Sequence, residues 1–164
     1  MLGVLERIDG VDQRVGQGRD LLADGVDPLR RGCVVELAEV NWERYVKIVD
    51  IEASCAVDIA STMILPATVR YLGQLATAPS SRGIASVCER VSGLADSLVD
   101  AIAALEHAQH EAHGAGSVPA EAKAFATTVI PAQEALRVVV DELEVVVADD
   151  LWPLPKYREL LFQY

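Results

Sequence analysis

Apolar residues recur at Trp42, Tyr45, Val46, Val49, Ala53, Ala56, Ile59, Ala60, Met63 and Ala67. This spacing of three and four places them on one face of an α-helix. Ile48, Ile51, Cys55 and Leu65 widen that face, and the pattern predicts a long helix over residues 42–78. Pro66 lies inside it and cannot donate to the carbonyl of Thr62, so a kink or a loosened turn is expected there. The stretch 79–83 collects a proline, two serines and a glycine, with Ser80 or Ser81 placed to cap the next helix. That helix is predicted from Ser81 to His113, on a seam formed by Ile84, Val87, Val91, Leu94, Leu98, Ile102 and Leu105. After a turn at Gly114–Pro119, a third helix is expected to about Asp149, with Phe125, Val129, Leu136, Val139 and Leu143 on its seam. Pro131 interrupts this helix as Pro66 interrupts the first, freeing the carbonyl of Thr127.

Upstream, six glycines fall within residues 1–32, each costing about 1 kcal/mol against alanine inside a helix. This segment reads as short helical pieces or a partly mobile lead-in. Asp27 and Pro28 have the order of a helix cap and first helical residue. Residues 33–41 are apolar enough for a helical lead-in, and their fusion with the long helix is left open. Downstream, Trp152 and Leu154 each precede a proline, which pushes them out of the helical region. The tail is also rich in large apolar residues, so Leu151, Trp152, Leu154, Tyr157, Leu161 and Phe162 are expected to dock on a surface or form an interface. Leu72, Leu75 and Ile84 are the expected partners within the chain. The fold class that follows is all-α. It is an up-down-up bundle of three long helices over 33–164, with short N-terminal pieces over 1–32 and an extended, proline-rich C-terminal tail.

Composition narrows the partners. The chain has 164 residues, 51% of them hydrophobic but only 5% aromatic, which suits one domain of closely approaching helices. A net charge of −11 repels phosphate backbones and anionic membrane surfaces, which argues against nucleic acid and membrane partners. Cys33, Cys55 and Cys88 are odd in number and widely spaced, as expected of reduced thiols in a cytoplasmic protein. No run of eighteen apolar residues and no basic-then-apolar start is present, which argues against membrane insertion and secretion.

Three histidines, His107, His110 and His113, are the most conspicuous polar cluster. Metal binding makes His107 and His110 weak candidate ligands, but steps of three residues rotate side chains progressively around a helix, and the outer two diverge by about 120°. Histidine near a helix C-terminus has a simpler reason, the negative end of the helix dipole. The run from His110 to Gly114 faintly resembles a histidine-phosphotransfer pattern, which wants lysine where His113 stands. Glu52 and Asp58 are placed to pair with Arg70, Arg90 or Arg137, a weightier reading than catalysis. The acidic residues between Asp141 and Asp150 read as a solvated face. With no phosphate loop, no nucleophile beside a base and no zinc spacing among the cysteines, no catalytic, cofactor-binding or metal site is assigned.

Several phrases occur in a specific order: Tyr45-Val-Lys47, Ile51-Glu52-Ala53, Ile64-Leu65-Pro66-Ala67, Tyr71, Ile130-Pro131-Ala132, Glu134-Ala-Leu136-Arg137 and Asp141-Glu-Leu-Glu144. The series closes on Leu151-Trp-Pro-Leu-Pro155-Lys-Tyr157 and Glu159-Leu-Leu-Phe162. This ordered set resembles the C-terminal helical region of type III glutamine synthetase, the large bacterial ligase that joins ammonia to glutamate with ATP. The resemblance implies a non-catalytic domain that contributes to subunit assembly or regulation. Its partners would be the catalytic domain or neighbouring subunits of a homo-oligomer. It implies ATP and Mg only for the full-length enzyme, whose ligands lie on an upstream catalytic domain, and no catalytic residue carries over. Residues 1–32 and the histidine cluster depart from the pattern. The alternative is a free-standing helical adaptor or a histidine-phosphotransfer-like protein.

Overall fold

Prolines and glycines divide this chain into its elements at nearly the positions the sequence predicts. The computed structural model describes residues 28–79 and 81–155, with side chains from residue 36 onward. Among these residues every regular element is helical and no strand occurs. The order is α1 (Pro28–Ile59), a π-helical turn π1 (Ala60–Ile64), α2 (Leu65–Thr77), α3 (Arg82–His113), α4 (Val118–Ala124), a second turn π2 (Phe125–Val129) and α5 (Ile130–Val146). α1, π1 and α2 are continuous, as are α4, π2 and α5, so the elements make three helical stretches. The first stretch begins at Pro28, so residues 33–41 are fused with it; Asp27 lies outside the described residues. Ser81 is the cap of α3, its Oγ accepting the Ile84 N–H at 3.2 Å.

The two prolines act through a wider turn. A proline ring collides with the carbonyl four residues back, and its missing N–H leaves that carbonyl without its helical donor. In both stretches the backbone inserts a π-type bond just upstream: the Leu65 N–H reaches Ala60 O, and the Ile130 N–H reaches Phe125 O, each five residues back. Hydroxyls line both turns. Ser61 and Thr62 donate to Val57 O and Asp58 O, each at 2.7 Å, and Thr127 donates to Lys123 O at 2.9 Å. Residues 60–67, ASTMILPA, and 125–132, FATTVIPA, therefore form a local pattern used twice, with threonine, a β-branched buried residue and proline at matching positions.

Among the described residues the fold comprises two compact units, one drawn from the chain up to residue 53 together with 107–131 and the other from 54–106 together with the chain from 132 on. Within the first, the buried side chains include Val46, Val49, Ala53, Ala112, Ala122, Phe125 and Val129. Within the second they include Ile64, Ala67, Val91, Leu98, Leu105, Leu136, Leu143 and Trp152. Thr68 is fully buried as well, and its hydroxyl is satisfied by Ile64 O at 2.9 Å. The third stretch ends at Val146. Trp152 and Leu151 then both donate backbone bonds to Ala148 O in a turn, and Trp152 is buried while Leu151 and Leu154 are half-buried.

Candidate functional site

Within the first unit, a short connection brings charged residues from three helices together. α3 ends at His113, and Gly114–Ser117 makes a tight turn. In this turn the Gly114 N–H bonds to Glu111 O at 3.1 Å and the Ala115 N–H to Ala112 O at 3.2 Å. A Cβ at Gly114 would lie 3.2 Å from Glu111 O, which favours glycine there. Val118 and Pro119 then open α4, and Glu121 sits in its first turn. His113 thus lies at the negative end of one helix dipole and Glu121 at the positive end of the next. His113 Nδ1 is 2.8 Å from Glu121 Oε1, and His113 Nε2 is 3.1 Å from Asp50 Oδ1 of α1. Gln109 Nε2 donates to the same Asp50 oxygen at 2.9 Å. The fully buried ring of Phe125 meets the imidazole edge to face, with centroids 5.0 Å apart at 69°. Glu43, Val46, Lys47 and Val118 complete the lining of a cavity of about 220 Å³.

The hydrogen bond to Glu121 is the largest influence on His113 and raises its pKa above the ordinary histidine value. Partial burial opposes this, while the Asp50 hydrogen bond and the charges of both carboxylates add to it. Burial, reinforced by the charge of Glu52, pushes up the phenol of Tyr45 on the same helix. The Tyr45 hydroxyl is buried without a hydrogen-bond partner among the described residues. Chemically, the His113 arrangement is a clasp. Both ring nitrogens face carboxylate oxygens, so neither presents a free lone pair to a metal or an electrophile.

The sequence candidates are dispersed by comparison. His107 and His110 are exposed on α3, and among the described residues no group of three or more His, Cys, Asp or Glu is arranged to hold a metal ion. Glu52 and Asp58 are exposed; Arg137 pairs at 3.7 Å with Asp141 of its own helix, and Arg70 Nε donates to Pro66 O. Of the tail residues, Trp152 is buried, and its Nε1 has no partner among the described residues. Tyr157, Leu161 and Phe162 lie outside the described residues. Sequence reasoning missed Asp50, Gln109 and Glu121 altogether. Glu121 carried a usable signal, since it stands eight residues after His113 across a tight turn. Asp50 is 63 residues from its partner and carried none.

Comparison with known proteins bears on most of the chain. Residues 34–82 match the family model of the glutamine synthetase C-terminal domain. The chain is 32% identical over 142 residues to a glutamine synthetase of Bacteroides fragilis (strain YCH46), a match that covers 76% of this chain and 19% of that protein. It is 28% identical over 142 residues to the type-3 glutamine synthetase of Dictyostelium discoideum, with the same coverage, 76% and 19%. The chain thus spans about a fifth of the length of the curated relatives it matches. Over most of its length the chain is homologous to type-3 glutamine synthetase, and its residues 34–82 match the glutamine synthetase C-terminal domain.

Proposed function

We propose that this chain is a non-catalytic helical domain of a type III glutamine synthetase and that it supports subunit assembly of the ATP-dependent glutamate–ammonia ligase. The observation that carries this reading is a row of exposed apolar residues flanking Arg44 on the outside of α1. Leu37, Val40, Ile48 and Ile51 are 46–63% exposed. At 100° per residue they lie opposite the buried Val46, Val49 and Ala53 of the same helix. A helix that is apolar on both sides needs a second surface to cover it. Homology to glutamine synthetase supports the catalytic domain as that partner, and a neighbouring subunit of a homo-oligomer is the other surface proposed for it. The short connections at 78–81 and 114–117 support an up-down-up order for the three helical stretches. The tail from Leu151 is proposed to seal the same assembly, by docking on its own chain or a neighbour.

The test replaces Ile48 and Ile51 together with glutamate in the full-length synthetase and reads its mass by light scattering. A smaller assembly with unchanged helicity is expected. An unchanged mass would remove the α1 face from the interface.

A further inference from the structure

We infer that Asp50, His113 and Glu121 form a proton-operated clasp, which ties α1 and the first turn of α4 to the end of α3 while the imidazole carries both protons and lets go when it loses one. The inference stands on geometry. An ionised carboxylate only accepts hydrogen bonds, so a ring nitrogen facing one must donate. His113 faces two, through Nδ1 at 2.8 Å and Nε2 at 3.1 Å, and only the imidazolium has a proton on each nitrogen. A neutral ring would set one nitrogen lone pair against a carboxylate, and one of the two contacts would open. Asp50 would keep the Gln109 donor, whereas the Glu121 contact is the hydrogen bond that carries the imidazole across the Gly114–Ser117 turn.

The surrounding charges favour the protonated form. From α1 the ring sees Asp50, with Glu43 and Lys47 on the same cavity wall; from α4 it sees Glu121. Its own helix contributes His110 and Glu111 beside it in sequence, and Phe125 of π2 supplies an uncharged ring. Three carboxylates outnumber one lysine on that wall. The His113 side chain is 47% exposed, so its proton exchanges directly with water and the clasp follows the pH of the medium. This device is independent of how α1 meets a partner.

The experiment is a pH titration of the purified chain by NMR of the histidine ring nitrogens, with amide exchange read across Gly114–Ser117. The expected result is a His113 midpoint above the ordinary histidine value of about 6.5. Loop exchange should accelerate beyond the ordinary base-catalysed trend as pH passes that midpoint. Glu121→Gln should lower the midpoint, and Asp50→Asn should lower it less. A His113 that titrates at or below that ordinary value, or a loop whose exchange ignores its titration, would overturn the clasp. Both readouts come from the wild-type chain, so an unfolded variant leaves the test intact.

Discussion

Phe125 has two duties that one substitution separates. Its ring is fully buried in the core of its unit and also supports the imidazole of His113. Phe125→Ala should cost about 3–5 kcal/mol in urea unfolding, the range for a buried aromatic whose site cannot fully collapse; a loss near zero would mean that the ring is not part of the core. Phe125→Leu should retain most of the stability and still remove the edge-to-face contact. The charge on His113 makes a separate, signed prediction. Its folded pKa lies above the unfolded value of about 6.5, so its stabilisation is complete below that pH and disappears as pH rises through the folded value. The stability difference between wild type and His113→Gln should therefore shrink from pH 6 to pH 9, as measured by thermal unfolding; a constant difference would sink the charge assignment. At this scale the sequence was legible only in part. Periodicity marked Phe125 as a seam residue, but Glu121, eight residues on across a tight turn, is the one local sign that distinguishes His113 from His110. They differ because one lies opposite Asp50 and Glu121, and that pairing is set by tertiary packing.

Helix ends follow from backbone chemistry that a single residue can disclose. Ser81 satisfies the Ile84 N–H, so Ser81→Ala should cost about 0.5–2 kcal/mol, with the loss seen as faster amide exchange in the first turn of α3. Unchanged exchange would show that water replaces the cap without loss. The starts and stops of the helices were legible because proline, glycine and serine act through φ, a missing donor and a side-chain acceptor, all local effects. The π turns were only half legible. Pro66 and Pro131 announce a disturbed carbonyl ladder, but they do not say whether the chain will bend, fray or widen. The structure widens in both cases, with hydroxyls of Ser61, Thr62, Thr127 and Thr128 bonded to carbonyls just upstream. Those hydroxyls stand in the sequence beside each proline, and the repetition of ASTMILPA as FATTVIPA is the sign that could have revealed a shared solution.

The whole chain carries a net charge of −11, and like charges at that density repel one another in the folded state. Added salt should therefore raise the unfolding temperature between 0.02 and about 0.3 M NaCl as the Debye length contracts. A falling temperature would mean that attractive pairs such as His113 with its carboxylates dominate the balance. Removing residues 151–164 tests the tail at the same scale. The full-length synthetase should then sediment as a smaller particle, and an unchanged profile would exclude the tail from assembly. The all-helical class was legible because period, breakers and composition agree. The exposed row Leu37, Val40, Ile48 and Ile51 was not, because periodicity counts these residues as helix-forming without saying which side of the helix its own chain will cover. The paired proline turns, finally, behave as a reusable part. Exchanging residues 62–67 with 127–132 changes the buried position only from Ile64 to Val129 and back, so a chain with the two hexapeptides transposed should still fold with both wide turns in place. A recombination library cut at these boundaries would join fragments at points where the backbone already knows how to accommodate a proline.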